Sequence, residues 1–201
     1  MNSGVATCDV PCALTGIGIG ALLLTFFGCV WLGLGLASLT MNPLWLAVAL
    51  ALLAVALLVP SFGIFRMGYE AAHRAGPMTE EQKRVQRRMG RAFGIIFAAE
   101  GLLIFVAVNV LNNLHREQYV LTAIAAIVGL HFLPLARLYR FPLYYAVGVL
   151  MVLDGFASLA LPAPGRNTTL ALSVGAVLWL TCAALIRRGF RLARVGHASQ
   201  V

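Results

Sequence analysis

The sequence predicts an all-α integral membrane protein with six transmembrane helices and both termini in the cytoplasm. Two observations predict this fold class: the apolar residues come in uninterrupted blocks, and the basic residues fall almost entirely on one side of those blocks. Hydrophobic residues make up 61% of the chain and charged residues only 11%, whereas a soluble domain has about 45–50% apolar and about 25% charged residues. A soluble fold is therefore excluded.

Each apolar block is close to the ~20 residues that an α-helix needs to cross ~30 Å of hydrocarbon. In lipid the backbone must pair its own hydrogen-bonding groups, and blocks of this length can do so only as helices. Prolines, glycines and polar clusters separate the blocks. All of them belong to a single transmembrane domain, residues 1–201, with predicted spans at 13–39, 43–65, 92–114, 118–136, 142–161 and 168–186.

Lys and Arg residues set the orientation, because positive residues stay on the cytoplasmic side of a membrane. With six spans, all but two of the 15 basic residues fall on the side that holds both termini. The exceptions are Arg116 and Arg166. This pattern predicts a multi-pass protein of a bacterial cytoplasmic (inner) membrane. The net charge of +8 reflects this topology, and no basic module for nucleic-acid binding is expected.

The polar link before the third span has the pattern of one short interfacial amphipathic helix that runs straight into the third span. Thr79 and Gln82 have the spacing of a capping box, and Val85 and Met89 begin an apolar stripe. The basic residues around the stripe are expected to face lipid, with anionic headgroups as partners. These residues are Lys83, Arg84, Arg87, Arg88 and Arg91.

Three ionisable residues lie inside apolar blocks, where an acid near the bilayer centre costs about 2.5–3.5 kcal/mol. Glu100 is in the third span, His131 in the fourth and Asp154 in the fifth. Counting helical rise from the cytoplasmic ends of the spans gives depths of roughly 13, 9 and 18 Å. All three are therefore expected between the cytoplasmic surface and the midplane, where they could share one cavity.

Neighbouring residues complete this predicted site for a ligand or proton. Ser158 follows Asp154 by one turn on the same helix face, and Tyr145 is a further candidate for binding. Arg137 and Tyr144 are expected at the cytoplasmic mouth. Alternatively, each acid hydrogen-bonds to a neighbouring helix and only holds the bundle together.

The sequence predicts no metal site and names no cofactor. Cys8 and Cys12 have a spacing that some zinc sites use, but no second ligand pair accompanies them. Helix one is rich in glycine, and Gly16 and Gly20 have the spacing that lets two helices approach closely. This pattern fits packing within the bundle and packing between the subunits of a homo-oligomer equally well.

Together these features predict a small proton-linked transporter or binder of a cationic or weakly polar solute. Glu100 and Asp154 would bind the cation or proton, and His131 would relay protons. The alternatives are a non-transporting structural or regulatory membrane subunit and, third, a membrane-embedded enzyme. No nucleophile–base pair is recognisable, so no catalytic residue is predicted.

Overall fold

The computed structural model of the chain describes residues 10–39, 44–74 and 78–198, and nearly all of this backbone is helical. No strand occurs within these ranges, so the all-α prediction is confirmed. Five helices are long and apolar enough to cross a membrane, which supports a membrane-embedded protein. The elements are α1 (Val10–Ala37), α2 (Leu44–Arg74), α3 (Glu80–Asn113), a 3-10 helix (Glu117–Tyr119), α4 (Val120–Tyr139), α5 (Leu143–Ser158) and α6 (Ala163–Ala198).

The shortest α-helix is α5, whose 16 residues rise about 24 Å. Turns extend it at both ends. The Tyr145 N–H donates to the Pro142 carbonyl at 3.0 Å before the helix, and the Leu161 N–H donates to the Ser158 carbonyl at 3.0 Å after it. With these turns the paired backbone covers the predicted span 142–161, although the regular helix alone is shorter than that span.

The amphipathic segment before the third span runs straight into that span, as predicted, so the two form one helix. It is the first part of α3, which continues without a break for 34 residues, about 51 Å. The predicted capping box is confirmed: the Gln82 N–H donates to Thr79 Oγ1 at 3.3 Å, and the Thr79 N–H donates to Gln82 Oε1 at 2.9 Å. Helix α3 contains no proline, the residue that would break the helix at the start of the apolar sequence.

Helices α2 and α6 also continue past the ends of their predicted spans. In α2 the added turns contain Glu70, which accepts from Arg66 Nε at 2.6 Å and pairs with Arg74 at 3.5 Å. Ion pairs one turn apart favour the helical backbone. The predicted spans therefore cover only the apolar part of these helices. The helices themselves extend into the polar sequence beyond it.

The helices form two groups that meet at α6. In one group α1 packs antiparallel on α6 and also on α2; in the other α4 packs on α5, which in turn contacts α6. Helix α3 stands at the edge, where it packs mainly on α4, and none of its residues is fully buried. The predicted site residues therefore lie on helices with very different degrees of burial.

A glycine of α1 outside the predicted pair makes a close contact with α2. A Cβ on Gly18 would lie 2.6 Å from the Phe65 backbone, so the two main chains touch there. Gly20 lies near side chains only, and Gly16 has open space around it. Glycine packing of α1 is therefore present within the bundle, while the homo-oligomer stays a prediction.

Candidate functional site

Glu100 and His131 face each other between α3 and α4. Glu100 Oε2 lies 3.0 Å from His131 Nδ1, and the side chains of Glu100 and His131 are 10% and 14% exposed. The oxygen lies off the direction of the ring N–H, so the contact has the distance of an ion pair without the alignment of a hydrogen bond. His131 Nε2 is also buried and has no hydrogen-bond partner among the described residues. The imidazole is thus the least satisfied polar group of the site.

Helical periodicity explains why α3 turns Glu100 toward α4. Ile96 and Ile104, one turn before and one turn after, are half-buried on the same side, whereas Ala99 and Gly101 are exposed. The carboxyl group therefore lies on the single stripe by which α3 packs on its neighbour. The pair adds a polar link to an interface built mainly of apolar side chains.

Asp154 lies at another interface, between α5 and α6. Ser173 Oγ of α6 donates a hydrogen bond to Asp154 Oδ2. The same hydroxyl lies 3.0 Å from the Leu170 carbonyl, so its one proton has two acceptors. A single hydroxyl is thus the side-chain partner of this carboxyl group.

Ser158 is buried with α4 and is not joined to Asp154. Its Oγ lies 3.2 Å from Thr122 Oγ1 and donates to the Gly155 carbonyl at 2.7 Å. Gly155 also faces α4 here, and a Cβ on it would lie 3.5 Å from the Thr122 carbonyl oxygen, an ordinary van der Waals distance. Asp154 and Ser158 therefore serve different contacts, one with α6 and the other with α4.

The two acids lie at different depths. Gly155, next to Asp154, packs at Thr122, and His131 lies roughly 13 Å further along α4 toward the C-terminal end of that helix. Asp154 is only one turn from the C-terminal end of α5. In the predicted topology it therefore lies in the outer half of the bundle, whereas all three residues were expected in the inner half. The reason is that α5 is short, so a residue far along it is already near the outer surface.

A groove, called the cytoplasmic groove after the predicted topology, opens beside the Glu100–His131 pair on the side of the turn between α4 and α5. Its volume is about 740 Å³. A second groove of about 490 Å³ lies near the C-terminal ends of α3 and α5 and the N-terminal end of α4, and neither groove is lined by an acid. The cytoplasmic groove contains the predicted residues Arg137 and Tyr145, and its lining is Ile96, Leu133, Pro134, Arg137, Leu138 and Tyr145.

Tyr144, which was expected at the cytoplasmic mouth, is instead buried in the core. It is 8% exposed, and its ring packs 5.5 Å from that of Phe132 and 4.9 Å from that of Phe141. Consecutive residues of a helix point about 100° apart, because a turn has 3.6 residues. Tyr144 and Tyr145 therefore cannot both face the groove.

The basic residues expected to face lipid remain on the surface of α3. Arg84, Arg87, Arg88 and Arg91 are exposed, while Lys83 is half-buried and pairs with Glu80 at 2.8 Å. These positions are compatible with headgroup contact, which stays a prediction.

A polar cluster where α1, α2 and α6 meet was missed by the sequence analysis. Cys182 Sγ lies 3.1 Å from Thr25 Oγ1, 3.9 Å from Ser61 Oγ and 3.3 Å from the Ala21 carbonyl oxygen. Thr25, Ser61 and Cys182 are each fully buried. Uncharged polar groups of this kind join helices in lipid. The sequence did contain a sign of this cluster, because each of the three residues stands in an apolar block with few other polar residues.

Within residues 10–39, 44–74 and 78–198, no three His, Cys, Asp or Glu side chains gather in a way that could hold a metal ion. The Cys8–Cys12 motif lies outside the residues whose side chains the structure describes.

Comparison with known proteins identifies a sequence family. Residues 15–188 match the profile of a family of unknown function, DUF7010. Neither a curated protein nor a solved structure matches the chain.

Proposed function

We propose that this chain, which belongs to the DUF7010 family because the match spans most of its length, is a non-transporting structural or regulatory subunit of a bacterial inner membrane. It crosses the membrane six times, with both termini in the cytoplasm. The observation that carries the proposal is that each intramembrane acid has its own partner at its own interface. Glu100 faces His131 between α3 and α4, and Asp154 accepts from Ser173 between α5 and α6.

The separation of the two acids argues against a shared solute path. A solute that used both would have to pass between levels roughly 13 Å apart. Ala125, Gly129 and Met151 are buried in the packed contact of α4 with α5 between these levels. Polar links between membrane helices contribute about 0.6–2 kcal/mol each, which offsets part of the cost of placing an acid inside the membrane.

The edge position of α3 also supports the subunit proposal. This helix packs mainly on α4, and Phe97, Leu103 and Phe105 remain exposed along it. A membrane helix with one neighbour leaves most of its surface free for lipid or for another membrane protein.

A second candidate function is proton-linked binding or transport of a small cationic or weakly polar solute at Glu100 and His131 alone. The cytoplasmic groove favours it, because Ile96 and Pro134 in the groove lie about one helical turn from Glu100 and His131. The buried, unpartnered His131 Nε2 favours it too. In this case Asp154 has no role in the solute site.

Reconstitution into liposomes separates the two functions. Purified chain is placed in vesicles with an imposed pH gradient and an internal pH dye, with and without a panel of small organic cations. A structural subunit leaves proton flux at the level of protein-free vesicles. Flux that is abolished by Glu100→Gln and retained by Glu117→Gln, a matched change at an exposed acid near the outer end of α3, would support the transporter and overturn the subunit proposal.

Purification from native membranes provides the positive test. A tagged chain extracted in mild detergent should retain a second membrane protein at fixed stoichiometry. Recovery of the chain alone, together with Glu100-dependent flux, would leave the subunit proposal without support.

A further inference from the structure

We infer that the cytoplasmic groove between α3, α4 and α5 binds an anionic phospholipid, with the phosphate at Arg137 and Tyr145 and an acyl chain along the apolar wall. The inference requires only that the chain is embedded in a membrane, so it holds for either proposed function. The volume of about 740 Å³ is within the ~300–1,000 Å³ of ligand sites in proteins.

Arg137 supplies the charge that selects an anion. It lies in the last turn of α4, is exposed, and forms no ion pair with any carboxylate of the described residues. The negative end of the α4 dipole favours an arginine here, but it does not explain the apolar groove beside that arginine. The planar guanidinium donates in a fork that matches two phosphate oxygens, and the Tyr145 hydroxyl can donate a further hydrogen bond.

The remaining lining identifies the ligand as a lipid rather than a soluble phosphate. Ile96, Leu133, Pro134 and Leu138 form a wall without charge. On α4 the wall runs from Arg137 to Leu133, a rise of roughly 6 Å in the direction of His131. A phosphate held at Arg137 would therefore lie at the cytoplasmic end, while an attached chain would point toward the midplane. A free phosphate ion would gain nothing from this wall.

The surroundings of the groove favour a net negative headgroup over a zwitterionic one. Arg140 follows Arg137 by one turn at the end of α4. Arg188 of α6 lies 4.6 Å over the ring of Phe141, in the turn between α4 and α5. The end of α4 where the phosphate would lie therefore carries two positive charges, at Arg137 and Arg140, and Arg188 adds a third beside the adjoining turn.

Lipid titration of the full chain in detergent tests the inference. Short-chain phosphatidylglycerol should bind and raise the thermal unfolding midpoint, and phosphatidylcholine should do neither. Arg137→Gln should weaken phosphatidylglycerol binding about tenfold or more through loss of charge-assisted hydrogen bonds, whereas Arg137→Lys should weaken it less. Arg194→Gln, at an exposed arginine on α6 outside the groove, is the matched control and should leave binding unchanged.

Three results would overturn the inference: equal binding of the two lipids, equal binding to wild type and Arg137→Gln, or stabilisation by inorganic phosphate as large as that by the lipid. If Arg137→Gln does not fold, Ile96→Trp provides an independent variant. Its larger side chain fills the apolar wall, so it must weaken phosphatidylglycerol binding while leaving Arg137 in place.

Discussion

Gly129 of α4 and Gly148 of α5 lie so close that neither has room for a side chain. A Cβ on Gly148 would be 2.6 Å from the Gly129 carbonyl oxygen, and a Cβ on Gly129 would be 2.9 Å from the Gly148 carbonyl oxygen. This contact sets the rotation of both helices. His131, two residues from Gly129, points about 200° away from the contact and so faces α3. Asp154, six residues from Gly148, points about 120° away from it and faces α6.

Replacing Gly148 by alanine should therefore destabilise the bundle. The added Cβ meets a backbone carbonyl that cannot rotate away, so we expect a loss of about 1–3 kcal/mol, as for other overpacked contacts. Unfolding in detergent, by heat or by titration with a denaturing detergent, measures this loss. Gly101→Ala is the control, because Gly101 has open space around it, and alanine there should be neutral or stabilising by up to ~1 kcal/mol. Equal destabilisation by both changes would contradict the close contact.

The hydrogen bond between Ser173 and Asp154 should appear as a coupling energy. In a double-mutant cycle with Asp154→Ala and Ser173→Ala, we expect the two residues to be coupled by about 0.5–1.7 kcal/mol, the range for side-chain hydrogen bonds in membrane bundles. Thr169→Ala replaces Ser173→Ala in the control cycle, since Thr169 is exposed one turn earlier on α6. No coupling in the first cycle, or equal coupling in both, would remove the proposed link between α5 and α6.

Reporter fusions test the topology. Fusions after Arg88 and after Val201 should report the cytoplasm, and fusions near Met41, Asn113 and Arg166 should report the outside. The critical element is α5, because its 16 regular residues are fewer than a span usually needs. If α5 did not cross, the C-terminal fusion would report the outside, and the six-span topology would be wrong.

The sequence alone determined that the chain is a helical membrane protein, because lipid imposes one length and one backbone pairing on every apolar block. It also singled out Glu100, His131 and Asp154, since an ionisable residue in an apolar block is conspicuous whatever its neighbours are. The capping box at Thr79 and Gln82 was equally predictable, because all its hydrogen bonds are local.

Only the tertiary structure decided which of these residues meet. The rotation of a membrane helix depends on its contacts with other helices, such as that of Gly129 with Gly148. The same rotation buries Tyr144 and leaves Tyr145 in the groove. It pairs Glu100 with His131 and leaves Asp154 to Ser173, because a rotation of one residue, about 100°, is enough to turn a side chain from one neighbouring helix to another.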